Sequence, residues 1–103
     1  MVADDGYGID ELKDIISPIA DVCGVRSVYL FGSRAKGTFD KNSDYDLAIS
    51  VDEGFNFHDY CRFTERLSDA LKAPVDVIFM EDLKDDRFGR RVMGERKHVC
   101  GEA

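Results

Sequence analysis

Closely spaced cysteines, a basic surplus and a long apolar run are all missing from this 103-residue chain, and each absence removes a class of protein. Its three cysteines, Cys23, Cys61 and Cys100, stand far apart, are odd in number and form no Cys-x-x-Cys pair. That excludes a disulfide framework and a zinc ribbon. Lys and Arg number 14 against 21 Asp and Glu, a formal charge of −7. A general duplex nucleic-acid binder needs the opposite balance, because it must displace phosphate counterions. The acidic surplus leaves open a cationic small substrate, a basic protein partner, or carboxylates committed to metal. No apolar run is long enough to span a bilayer, and the first twenty residues contain no signal-peptide core. Thiols without a secretory segment lead to the expectation of a cytoplasmic protein with no membrane association.

What is present is a globular profile, 44% hydrophobic and 34% charged, without repeats or low-complexity tracts. At this length one core can be buried and not two. The expected organisation is a flexible start at 1–8 and a single domain over 9–103. Ile9, Leu12, Ile15, Ile16 and Ile19 recur at helical spacing. Pro18 falls within that stretch and predicts a kink or two abutting helices, with Gly24 as the stop. Residues 25–31 (VRSVYLF) read as a buried strand, 32–43 as a loop with room for one helical turn, and 45–51 (YDLAISV) as a second strand. Glu53-Gly54 turns the chain. Asn56 then caps a helix whose expected apolar face is Phe57, Tyr60, Cys61, Thr64, Leu67 and Leu71. Pro74 ends it. Residues 75–80 (VDVIFM) form a third strand, 87–94 a short helix, and 97–100 either an edge strand or a trailing end. The order is that of one α/β domain with a small sheet covered by helices.

Three segments place polar groups at strand ends, where a rigid scaffold presents them to a cleft. The first is Gly32-Ser33-Arg34-Ala35-Lys36-Gly37. Its glycines allow close approach of backbone N–H groups to an anion, and Ser33 adds a hydroxyl. The Gly-x-x-x-x-Gly spacing is shared with P-loops, but Thr38 and Phe39 stand where Lys and Ser/Thr are required. A plain glycine-rich turn is the alternative. The second segment is Ser43-Asp44-Tyr45-Asp46-Leu47. Asp44 and Asp46, two apart along a strand, share a face, and two like charges so close call for a cation. Asp40, Asn42 and Asp44 follow the rhythm of a calcium loop, which fails at Tyr45 and Val51. Two solvated charges at a strand start are the competing reading. The third is Asp76, a carboxylate in an otherwise hydrophobic strand and costly to bury alone; an edge position facing water is the alternative, and a metal shared with Asp44 and Asp46 the preferred explanation. His58 and His98 are isolated and read as surface groups. The cysteines read as small buried hydrophobes, and the run from Glu81 to Asp86 as a solvated loop. Tyr45, Phe39 and Phe79 have packing as their default role.

Taken together, YLFGSRAKGTFDKNSDYDLAI and PVDVIF resemble the signature of the nucleotidyltransferase superfamily related to DNA polymerase β, most closely its minimal nucleotidyltransferase (MNT) branch. The resemblance runs from Ile9 to about Cys100. It implies a small mixed sheet flanked by helices, and ATP as substrate. Gly32 and Ser33 would hold the β- and γ-phosphates, with Arg34 and Lys36 beside them as triphosphate contacts or as loop residues in solvent. Asp44, Asp46 and Asp76 would bind a pair of Mg²⁺ ions, Asp76 nearest the attacking group. Two metals a few ångströms apart stabilise attacking and leaving oxygens, and such catalysis is mostly positioning and charge stabilisation. The branch also implies a HEPN-domain toxin as partner, with AMP moved onto one of its tyrosines. A single domain leaves the acceptor to be brought by another chain or bound at a homodimer seam. Two other readings stand beside this one. One is neutralisation of the partner by occlusion; the other is adenylylation of a small cationic acceptor such as an aminoglycoside.

Overall fold

The computed structural model describes residues 7–40 and 42–102; residues 1–6 of the expected flexible start lie outside that range. The first element, α1 (Ile9–Cys23), buries Leu12, Ile16, Ala20 and Cys23 along one stripe. Its start is closed by Glu11, whose Oε1 accepts the Gly8 N–H at 2.9 Å. Contrary to the expected break, Pro18 sits inside one uninterrupted helix. Pro18 is on the exposed side, so water can satisfy the carbonyl that its missing N–H leaves unpaired. The buried stripe on the opposite side holds the helix together across it.

Strands β1 (Val25–Phe31) and β2 (Tyr45–Val51) take the expected bounds, and α2 (Gly32–Lys36) fills the turn between them. Helix α3 (Phe57–Leu71) begins at Asn56, whose side-chain oxygen accepts the Asp59 N–H at 3.0 Å. Its buried face holds the expected Leu67 and Leu71, with Tyr60, Cys61 and Thr64 half-buried, and departs from the expected one at Phe57 and Phe63. Phe63, Leu67 and Leu71 are buried, whereas Phe57 is 78% exposed. Phe57 occupies the first helical position and stacks outside the core on Tyr60, while Phe63 falls on the stripe over the core. Strand β3 (Val75–Phe79) stops a residue early because Met80–Asp82 form a short 3₁₀ turn. Then come α4 (Arg87–Glu95), capped by Asp86, and β4 (Lys97–Gly101).

The sheet order is β3-β2-β1-β4. β1 pairs antiparallel with β2 and β4, and β2 pairs parallel with β3. A parallel pair cannot be joined by a hairpin, and α3 supplies the crossover. Helices α1 and α3 cover one face, where Leu12, Ile16, Val28, Leu47, Ile49, Phe63 and Leu67 form the main core. On the other face Val92 of α4 packs with Phe31 and Ala48. The architecture is therefore the expected mixed α/β sheet flanked by helices. Cys23 and Cys100 are buried and Cys61 half-buried, all as free thiols. Among the described residues no helix is long and apolar enough to cross a membrane.

Candidate active site

The site grows from the register of the sheet. Asp46 is opposite Phe31 on β1 and level with Asp76 on β3. Parallel pairing in register puts these two carboxylates on neighbouring strands at the same height. Asp44 lies immediately before β2. The three residues expected to act together are therefore brought to one end of the β2–β3 pair. Asp76, however, is exposed on the edge strand. The water-facing edge position is the one found, so burial cost is not what calls for a partner at Asp76.

Asp46 is the strained member. Burial pushes its carboxyl above the ordinary value, the Asp76 and Asp44 carboxylates push it further, and Arg91 opposes them. Glu95 also raises it, which places both α4 residues within electrostatic reach of the site.

The Gly-Ser turn is packed directly on this centre. Gly32 has φ +74°, the left-handed region that only glycine enters without strain. A Cβ built there would overlap the Asp46 carboxylate. Ser33 follows, half-buried at the start of α2. Lys36 is exposed, its Nζ 3.7 Å from Glu95 Oε2.

Arg34 is only 8% exposed, so the expected alternative of a loop residue in solvent does not hold for it. Its Nε and Nη2 donate to the Ser43 carbonyl at 3.2 and 2.7 Å. The guanidinium lies over the Phe39 ring at 4.7 Å and the Tyr45 ring at 4.0 Å. Arg34 thus clamps the loop that leads into Asp44. The same loop is closed by Asp40, whose N–H donates to Ser43 Oγ at 3.0 Å and whose Oδ1 accepts the Asn42 N–H at 2.8 Å. Tyr45 is 1% exposed and belongs to the core.

Sequence reasoning missed Glu95 and Arg91. Glu95 Oε1 accepts the Gly32 N–H at 3.2 Å, and Arg91 Nε lies 3.6 Å from Glu95 Oε2. Nothing in the charged stretch RFGRRVMGERK distinguishes them from solvated neighbours; the pairing spans 63 residues.

Among the described residues no three Asp, Glu, His or Cys side chains form a group that would enclose a metal ion. The donor set nevertheless suits Mg²⁺. Mg²⁺ takes one or two protein carboxylates, keeps several waters, and completes its shell with substrate phosphate oxygens, so a closed protein cage is not what it requires. The repulsion carried by Asp46 has the sign a cation would relieve.

A concavity of about 440 Å³ lies at the other end of β2 and β3, between Val51, Phe55, Tyr60 and Phe79. Four aromatic rings line it together with Glu81 and Asp82, and none of Asp44, Asp46 and Asp76 does.

The family model described as "Polymerase beta, Nucleotidyltransferase" matches residues 13–102. A protein of Methanocaldococcus jannaschii named "Putative protein adenylyltransferase" is 34% identical over 70 residues, covering 68% of this chain and 75% of its own. A solved structure described as a "putative minimal nucleotidyltransferase" superposes with a TM-score of 0.73 at 26% identity, over 88% of this chain and 95% of that one. A structure of a tri-AMPylated Shewanella oneidensis HEPN toxin in complex with MNT antitoxin shares the fold. Its TM-score is 0.66 at 18% identity, over 92% of this chain and 74% of that one.

Proposed function

The chain belongs to the polymerase β-type nucleotidyltransferase family, and from that premise we propose that it moves AMP from ATP, with Mg²⁺, to a tyrosine of a HEPN-type toxin, as that partner's antitoxin. The observation that supports this reading is the in-register pair Asp46–Asp76, with Asp44 adjoining and the Gly32 turn packed on Asp46. Relatives named for protein adenylylation and for an AMPylated HEPN toxin point to the donor and the class of acceptor.

Asp44, Asp46 and Asp76 would hold the metal, which supplies positive charge against the triphosphate and the developing oxyanions. The protein's own share is positional. Gly32 brings the backbone against the carboxylate centre, and Ser33 offers a hydroxyl to the β- and γ-phosphates. Lys36 stands at the end of the same short helix as a further cation. In the transfer, the acceptor hydroxyl oxygen bonds to the α-phosphorus, the bond to the bridging oxygen breaks, and pyrophosphate leaves. The hydroxyl proton passes to a carboxylate. Asp76 suits that role because it is exposed on the edge strand, where an acceptor carried by another chain can approach. The −7 charge suits docking against a basic partner.

The test is transfer of label from α-³²P-ATP to a co-expressed HEPN partner, with and without EDTA, in wild type, Asp44→Asn and Asp46→Asn. Mg²⁺-dependent labelling lost in both variants is expected. Labelling that persists in both sinks the assignment. Toxin neutralisation that survives without labelling identifies occlusion as the working mechanism instead.

A further inference from the structure

Glu95 stands apart from the family signature, yet it touches the signature at two points. Its Oε1 accepts the N–H of Gly32, the first residue of α2. Its Oε2 faces Lys36, the last residue of α2, at 3.7 Å and Arg91 of α4 at 3.6 Å. The side chain is only 16% exposed, whereas those of Lys36 and Arg91 are 53% and 57% exposed. One half-buried carboxylate therefore ties both ends of the Gly32–Lys36 helix to α4. Glu95 also adds to the negative charge that Asp76 and Asp44 already place around Asp46.

We propose that Glu95 is a positioning residue for nucleotide binding: it fixes the left-handed Gly32 turn, and through it Ser33, against the carboxylate centre. Glu95 also keeps Lys36 and Arg91 at the rim of the site as counter-charges for a triphosphate. The proposal rests on the nucleotidyl-transfer reading above. The physical reason is that a glycine turn has many accessible backbone states, and ordering it at the moment of binding would cost conformational entropy. A partner already bonded to the Gly32 N–H removes that cost beforehand. Glutamate does what glutamine does only in part. Both accept the N–H, but only the carboxylate also holds two cations with its second oxygen.

Two measurements on wild type, Glu95→Gln and Glu95→Ala test this. The first is hydrogen exchange at the Gly32 amide, read by NMR against core amides such as Leu47. The second is calorimetric titration with α,β-methylene-ATP and Mg²⁺. Glu95→Ala is expected to lose Gly32 protection while Leu47 protection and Tm stay near wild type, and to bind the analogue about tenfold more weakly. Glu95→Gln is expected to keep the protection and fall between the two in affinity. Wild-type affinity in Glu95→Ala, or equal loss of Leu47 and Gly32 protection, overturns the positioning role. If wild type itself does not bind the analogue, the functional reading fails, and Gly32 exchange alone then decides whether Glu95 holds the turn.

Discussion

Gly32 lies against the Asp46 carboxylate so closely that no side chain fits between them. The contact follows from the register: Phe31 is the partner of Asp46, and the chain turns left-handed one residue later. Backbone and carboxylate thus share one small volume, the one into which the proposed triphosphate and metal would come. Gly32→Ala is expected to combine αL strain of about 1–2 kcal/mol with displacement of Asp46. Nucleotide binding by calorimetry should fall below detection while circular dichroism still shows a folded protein. Retained affinity would mean that the turn is not part of the site.

Asp46 is expected to be a residue at which stability and activity oppose one another. Its folded-state carboxyl is raised above 3.8 by burial and by Asp76 and Asp44. A raised carboxyl contributes stability that is present below the unfolded value and lost as pH rises through the folded one. At pH 7 the ionised group therefore destabilises the metal-free fold. Asp46→Asn should raise Tm in EDTA at pH 7 by a few degrees and abolish AMP transfer. A lowered Tm in EDTA would contradict the repulsion.

Tyr45 sets an alkaline limit. Burial raises its phenol above the ordinary 10.0, against the lowering effect of Arg34 and the hydrogen bond from the Tyr7 N–H. The neutral phenol is the form the fold accommodates, so stability should decline as pH rises from about 10 through the higher folded value. Urea unfolding of Tyr45→Phe should show a shallower decline there, and lie within about 1 kcal/mol of wild type at pH 8. Cys100, also raised by burial from 9.0, leaves a residual slope of the same sign.

Arg34 distinguishes a loop clamp from a triphosphate contact. Its two donors on the Ser43 carbonyl and its position over two rings depend on a planar guanidinium, which lysine cannot reproduce. Arg34→Lys should lower stability by about 1.5–3 kcal/mol in urea titration. A wild-type urea midpoint combined with weaker ATP binding would reverse the assignment and return Arg34 to the nucleotide.

Much of the fold follows from local pattern. Val25–Phe31 and Tyr45–Val51 are runs of β-branched and aromatic residues between turn signals, and both strands appear at those bounds. Asn56 has the side chain to cap a helix and does so. Where the pattern misleads, tertiary packing is the reason. Pro18 would break an isolated helix, but here it lies on the exposed side while Leu12, Ile16, Ala20 and Cys23 hold the other. Phe57 and Phe63 are equally apolar in sequence, and only the position of α3 over the sheet decides which one is buried.

The same division applies to the site. By itself the sequence determined the chemistry: a glycine-serine turn after one strand and carboxylates at 44, 46 and 76, because residue type and spacing along a strand are local properties. The tertiary structure decided what stands beside what. It set Asp46 level with Asp76 through parallel pairing and left Asp76 exposed on the edge strand. It turned Arg34 onto the Ser43 carbonyl and brought Glu95 to the Gly32 N–H across 63 residues. Contacts of that separation are set by the register of strands and the docking of helices, which depend on the whole core at once and leave no mark on any single segment.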